Sequence, residues 1–258
     1  MTSTEIKALF AETLIGDYES DAVWDAVGKL RLDGNRETFE RAAAWIPSDD
    51  PRKRALAAAI LCQLMRARVP SPQEEFPMPV WLFRPESSLL IVKMLETEQD
   101  TVVLAAAIPA LAHLDDESSL PMILSYRDHS DKDVRYAVAT SLGCFPDHPE
   151  SVPGLLKLTS DVDADVRDWA VFGLGVQGDA DSPEIREVLL RCLDDPNEDV
   201  REEAAVGLGK RQDGRLLPKL LEMLDGPGFH RRVNEAAAAM LGFADEPPEW
   251  QASDYREA

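Results

Sequence analysis

The sequence predicts an all-α chain, a right-handed α-solenoid (α/α superhelix) of about seven stacked helix pairs, and three observations predict it. Asp-Val-Arg occurs at Asp133-Val134-Arg135, Asp165-Val166-Arg167 and Asp199-Val200-Arg201, spaced by 32 and 34 residues. Each copy opens an alanine-rich stretch that closes on Leu-Gly, at Leu142-Gly143, Leu174-Gly175 and Leu208-Gly209. Inside the first stretch Val134, Val138 and Leu142 fall at i, i+4 and i+8, which is one apolar stripe along a helix. Self-similarity at such a period marks stacked helix pairs, each burying its apolar face on its neighbours. No β-sheet beyond a stray bridge is expected.

The same register extends in both directions. The first unit is read around Asp21 to Leu32, and Arg54 with Ala57, Ala58 and Leu61 stands where Arg135 with Val138, Ala139 and Leu142 stands later. Val103, Ala107 and Leu111 repeat Val134, Val138 and Leu142. Downstream, Arg232-Val233-Asn234 occupies the signature position without its Asp or its Arg, followed by Glu235 and the alanine run 236–239. Each of these second helices is preceded by a shorter amphipathic segment: Arg36 to Ile46, Glu86 to Glu96, Ser118 to Arg127, Val152 to Thr159, Pro183 to Leu193 and Arg215 to Leu224. One solenoid over 1–258 is therefore expected, with divergent repeats at 4–67, a Pro-rich insertion at 68–85, regular repeats at 86–243 and an acidic tail at 244–258.

Local chemistry supports each helix start. Asp131, Asp163 and Asn197 lie three residues before the signature Val, where a side-chain oxygen can cap the first amides, and Asp133, Asp165 and Asp199 sit in the first turn, where the helix dipole favours a carboxylate. Asp-His-Pro at 147–149, Asp-Asp-Pro at 194–196 and Asp-Gly-Pro at 225–227 supply turns between repeats. Pro109 falls inside the Thr101 to Ala112 helix and is expected to kink it.

Taken together, the threefold Asp-Val-Arg motif and its Leu-Gly closures resemble HEAT repeats, in particular the short repeats named after phycobilisome lyases. The resemblance spans residues 85–243 well and 4–67 loosely. It implies that the signature Asp and Arg form a ladder between neighbouring repeats, and that the second helices line the concave side. Arg135, at one edge of the Val134 stripe, is placed to face a neighbour, as a ladder requires. Tetratricopeptide repeats share the period, but their Trp, Leu-Gly and Tyr landmarks are missing from the first helices.

Composition narrows the function. The 258 residues are 45% hydrophobic and 29% charged, with a formal net charge of −21. Such a surface repels phosphate backbones and attracts cations, so a nucleic-acid partner is not expected. Two short basic clusters, Arg52-Lys53-Arg54 and Arg231-Arg232, read as solvated helix starts or ladder elements rather than a nucleic-acid channel of the kind that HEAT-like DNA glycosylases need. No stretch is apolar for the roughly 18 residues of a membrane span, and residues 1–10 lack the basic-then-apolar pattern of a signal peptide, so a cytoplasmic, bacterial-type protein without a membrane partner is expected. Cys62, Cys144 and Cys192 lie in different repeats and read as small buried residues, with neither a disulfide framework nor a zinc site.

Catalysis finds no motif to rest on. The HEAT-like deoxyhypusine hydroxylases ligate iron through His-Glu dipeptides, whereas His113, His129, His148 and His230 here precede Leu, Ser, Pro and Arg. There is no His pair at i, i+4, no Gly-rich phosphate loop and no Gly-x-Ser-x-Gly elbow. No cofactor, metal or catalytic residue is assigned.

What remains is the outward face of the second helices. At about 100° per residue, the positions opposite the apolar stripe are 133, 136, 140 and 143 and their counterparts. They project Asp133, Tyr136 and Thr140, then Asp165, Asp168 and Phe172, then Asp199, Glu202 and Val206, then Arg232 and Glu235. Acidic residues mixed with aromatic and apolar ones suit a protein-binding groove; the same aromatics could instead fold onto a neighbouring helix. Trp169, on the flank that meets the next repeat, reads as packing. The insertion carries Pro70, Pro72, Pro77, Pro79 and Pro85 among Phe76, Met78, Trp81 and Phe83, and is expected to pack across the solenoid edge. In the tail, Trp250 and Tyr255 could dock on the last repeat. The expectation is a non-catalytic scaffold whose acidic concave groove binds another protein with a basic surface. An immunity or inhibitor protein for a basic toxin enzyme, or a lyase of the phycobilisome type, is the alternative.

Overall fold

A computed structural model describes residues 1–66, 80–225 and 231–243. Within them lie fourteen α-helices: α1 (Ser3–Glu12), α2 (Asp21–Leu32), α3 (Arg36–Ala43), α4 (Pro51–Leu61), α5 (Arg84–Leu95), α6 (Thr101–His113), α7 (Leu120–Ser125), α8 (Lys132–Gly143), α9 (Ser151–Leu158), α10 (Ala164–Phe172), α11 (Pro183–Cys192), α12 (Glu198–Lys210), α13 (Leu217–Leu224) and α14 (Arg231–Met240). In chain order they match in number the seven expected helix pairs of an all-α repeat protein, including the divergent first pair. The part of the Pro-rich insertion at 67–79, His230, most of the 225–227 turn and the acidic tail at 244–258 lie outside the described residues.

The helices start where their capping residues dictate. Asp50, Asp100, Asp131, Asp163 and Asn197 each accept a hydrogen bond from an amide of the first turn of α4, α6, α8, α10 and α12. Thr2 and Glu5 add a reciprocal capping box on α1. Helix α6 runs on through Pro109.

The chain forms two compact units, 1–126 and 127–258. In the first, α2 packs on α4 and α4 on α6, with α1, α3 and α5 paired to them in turn. Its core is built from Ile6, Leu30, Leu56, Ile60, Ile91, Leu104, Ile108 and Leu111, all almost fully buried. A correction to the strand-free expectation lies here: β1 (Met65–Arg66) pairs antiparallel with β2 (Val80–Trp81), and Asp33 bridges to Arg66. The backbone groups beyond the end of α4 have no helical partners, and the returning chain supplies them.

In the second unit α8 packs on α10, α10 on α12 and α12 on α14. Small residues set the spacing. A Cβ on Gly207 would stand 2.6 Å from Gly175 Cα, and one on Gly209 would stand 2.5 Å from the Ala236 carbonyl oxygen. The closure glycines Gly175 and Gly209 are thus points where neighbouring repeats meet backbone to backbone, whereas Gly143 meets the Gln177 side chain. Between α10 and the next loop, Gly173–Gln177 widens into a π turn.

The repeats are tied at one end of these helices by arginine. Arg135 places Nε and Nη2 on the Asp161 carboxylate at 2.7 and 2.9 Å, while Nη1 donates to the carbonyls of His129 and Ser130. Arg167 repeats the arrangement on Asp195, at 2.8 and 2.9 Å, and on the carbonyls of Asp161 and Val162. Arg201 holds the carbonyls of Asp195 and Pro196, and in the first unit Arg54 grips Glu98 and the Ser48 carbonyl. The ladder expected of the arginines is present, but the expected role of the motif aspartates needs correcting. Asp133, Asp165 and Asp199 stay exposed, and the acceptors are loop residues two positions ahead of each N-cap. Those carboxylates also take the amides of Asp100, Asp163 and Asn197. Burial alone would raise the pKa of Glu98, Asp161 and Asp195, yet the guanidinium and amide donors hold all three below the ordinary carboxylate range.

The cysteine reading also needs one correction. All three are free, and Cys62 and Cys192 are buried, with burial pushing both thiols up to about 11, but Cys144, one residue past α8, is exposed.

Two predictions follow from these joints. Gly207→Ala should lower the stability measured by urea denaturation by about 1–3 kcal/mol, because the added methyl meets backbone rather than a movable side chain. Gly214→Ala, whose added methyl meets nothing within 4 Å, should stay within about 0.5 kcal/mol. Arg167→Ala strands the largely buried Asp195 carboxylate and should cost roughly 3 kcal/mol, whereas Asp165→Asn should leave stability nearly unchanged.

Candidate protein-binding face

The residues expected to form a binding surface project from α8, α10, α12 and α14 of the second unit. Asp133, Asp165 and Asp199 are exposed, and Tyr136 is 37% exposed. Asp168, Phe172, Glu202 and Glu235 are half-buried. Asp133, Tyr136, Asp165 and Asp168 line one cleft of about 300 Å³ together with Lys132, Asp163 and Trp169. Beneath the polar first turns of α8 and α10 that line the cleft, Val134, Ala137, Val138, Val166 and Ala170 are buried.

An aromatic row runs from the cleft across α10. Tyr136 meets Trp169 edge-on, with ring centroids 6.0 Å apart, and Trp169 meets Phe172 edge-on at 5.5 Å. The guanidinium of Arg232 lies 5.4 Å above the Phe172 ring, which is cation–π geometry. Arg232 also pairs with Glu203 at 3.1 Å and with Glu235 at 2.9 Å. This ties Phe172, Glu203 and Glu235 into one network across α10, α12 and α14.

Val206 does not belong to this surface, which corrects its assignment. It is fully buried, in the same core cluster as Val171, Val200, Val233, Ala236 and Ala237. The face of α14 towards α12 is alanine, so the two helices close together and cover the position that Phe172 leaves half-open one repeat earlier.

Trp169, Lys132, Asp163 and Glu203 were not among the expected surface residues. Trp169 was read as packing between repeats, and it both packs there and lines the cleft. Glu203 stands at the register position held by Ala137 and Trp169 in earlier repeats, so a carboxylate on the side of the helix that meets its neighbour was the available signal. Its burial pushes its pKa up to about 7, with Asp168, Glu235 and Glu202 adding to the rise against the opposing Arg232. Asp168 is pushed up to about 6 by burial, then by Asp199 and Asp165. Oδ1 of Asp168 and Oε2 of Glu203 are sealed from solvent without a hydrogen-bond partner.

These shifts give stability a signature on both sides of neutrality. Asp168 and Glu203 have folded pKa values above their unfolded ones, so their contribution is complete at acidic pH and is lost as pH rises from the ordinary carboxylate range through about 7. The ladder acids Glu98, Asp161 and Asp195 are lowered, so theirs is present above the ordinary range and lost as pH falls below it. Calorimetric Tm should therefore peak near pH 5 and decline towards pH 7.5. The double substitution Asp168→Asn with Glu203→Gln should flatten the decline while leaving the acid limb in place.

A family model described as HEAT repeats matches residues 89–175 and 152–242. Among solved structures, an X-ray structure of YibA from Escherichia coli superposes with a TM-score of 0.70 at 20% sequence identity, covering 100% of this chain and 97% of that one. A structure of human deoxyhypusine hydroxylase in complex with glycerol gives a TM-score of 0.39 at 18% identity, covering 98% and 94%. A comparison with curated protein sequences finds no match. No helix among the described residues is long and apolar enough to cross a membrane.

Proposed function

Because the chain belongs to the HEAT-repeat family, we propose that it is a non-catalytic interaction scaffold that binds another protein, one with a basic surface, through the acidic face of α8, α10, α12 and α14. The observation that carries this reading is the cleft of Tyr136 and Trp169 among Asp133, Asp163, Asp165 and Asp168, continued by Asp199, Glu202 and Glu235 on the next two helices. Exposed carboxylates steer a cationic partner from a distance, and an aromatic side chain at the centre gives desolvated contact once it arrives. Tyr136 is the aromatic anchor of this reading. Phe172 is more enclosed, with Arg232 over its ring.

Steering and anchoring separate kinetically. With the partner captured from host extract and identified by mass spectrometry, surface plasmon resonance at two salt concentrations is the test. Replacing Asp165, Asp168, Asp199 and Glu202 by their amides should slow association about tenfold at low salt and flatten its dependence on ionic strength. Tyr136→Ala should speed dissociation with little change in salt response. Unchanged kinetics in both variants would place binding elsewhere.

A further inference from the structure

General acidity does not account for the way charge is distributed within the cleft. Asp133 and Asp163 share the ammonium of Lys132, at 3.9 and 3.7 Å. Asp163 is occupied further as the cap of α10. Asp168 has neither kind of support: it lines the cleft, and its Oδ1 is sealed without a donor. Behind it on α12, Glu203 is only 9% exposed; Arg232 holds Oε1, and Oε2 is sealed and unpartnered as well. Two buried carboxylate oxygens without donors, on adjoining helices, form a costly arrangement that either a proton or an added cation relieves.

The charged groups around Asp168 leave it short of cations. Lys132 and Asp133 face it from α8, Asp163 and Asp165 from the start of α10, Asp199 and Glu203 from α12 and Arg232 from α14, with Glu202 and Glu235 beside Glu203. Both cations are engaged elsewhere, Lys132 with Asp133 and Asp163, and Arg232 with Glu203 and Glu235. Among the described residues no three His, Cys, Asp or Glu side chains converge as a metal ion would require. The walls beside Asp168 are instead the Tyr136 and Trp169 rings, which suit a planar, weakly hydrated guanidinium that can stack while it donates to a carboxylate.

We infer that Asp168 is a proton-linked seat for one arginine side chain of the partner: the guanidinium enters beside Tyr136 and Trp169 and donates to the Asp168 carboxylate, and a proton held by Asp168 leaves to solvent. The step balances, one positive charge entering as one departs. Below neutral pH a proton is available to be displaced, since burial pushes Asp168 up to about 6. A lone surface carboxylate, already ionised, would release nothing. The inference rests on the acidic-face reading and adds to it the chemistry of the group bound and a coupling to pH.

An acetylated, amidated hepta-arginine peptide is a suitable probe, because it has no group that titrates between pH 5 and 9. Calorimetric titration of the full chain at pH 6.5, in two buffers of different ionisation enthalpy, counts the protons released. Release of the fraction of a proton still held by Asp168 at that pH is expected, with roughly fourfold tighter binding at pH 7.5 than at pH 5.5. Asp168→Asn, with its fold checked by circular dichroism, should abolish both effects. Asp165→Asn should weaken binding through lost steering yet still release the proton. Should Asp168→Asn not fold, the wild-type count at pH 8.5 decides, because there Asp168 is already ionised and release must vanish. Peptide bound without proton release at pH 6.5, release that persists at pH 8.5, or release that persists in Asp168→Asn would overturn the seat and leave the acidic face standing. No binding by the wild-type chain at any of these pH values would overturn both.

Discussion

The guanidinium bridge between consecutive loops is the interaction on which the second unit depends. A repeat stack has few contacts between distant parts of the chain, so each joint must be set locally. Arg135 sets one by holding its own loop through the His129 and Ser130 carbonyls and the following loop through the Asp161 carboxylate. Asp161 then passes the constraint on, since its carbonyl accepts from Arg167, which grips Asp195, whose carbonyl accepts from Arg201. Every second member of this chain is a carboxylate that also caps a loop amide, and this satisfies its lone pairs despite partial burial. The helices themselves contribute the complementary constraint, small residues that allow α10, α12 and α14 to meet at backbone distance.

The opposite ends of the same helices are tied by different means. Asp147 accepts the amides of Asp179 and Ala180 from the next repeat. Arg211, 9% exposed, donates to the carbonyls of Leu174, Gly178, Ala180 and Gly207. Those carbonyls belong to the C-terminal region of α10 and its π turn, to the loop that follows and to α12 itself. The partial negative charge of a helix end, together with Asp181, Asp179 and Asp147, compensates the buried guanidinium, although burial still lowers its pKa. The Arg211 arrangement has no periodic signature in the sequence.

That difference explains what could be read from the chain. Helix positions were legible because a capping residue, an apolar stripe and a Leu-Gly closure recur together, and even the poorly matching Asp21 to Leu32 segment proved to be a helix with those bounds. The arginine half of the ladder was legible for the same reason. Its acceptors were not, because Asp161 and Asp195 lie outside the three-residue signature, although Asp161-x-Asp163 and Asp195-x-Asn197 repeat at the same interval. Arg211 was invisible because its partners are backbone. A helical wheel treats every exposed position of a repeat alike, so it placed Val206 beside Phe172; burial differs because α14 presents Ala236 where α12 presents Glu203.

The divergent last signature locates the uncompensated charge. The first residue of the motif is Asp133, then Asp165, then Asp199, and in the last copy Arg232. Sequence alone reads that change as decay of the repeat. In three dimensions it puts a guanidinium where Glu203 needs one, since Arg232 reaches back to Glu203 across α12 and α14 and covers the Phe172 ring. Had the position remained Asp, Glu203 would have faced a further acid and no cation. With Arg232 in place, the charge deficit moves one helix upstream to Asp168, at the edge of the cleft where solvent or a partner can reach it. The substitution that ends the acidic row thus supplies Glu203 with a cation while the buried Oδ1 of Asp168 keeps no donor.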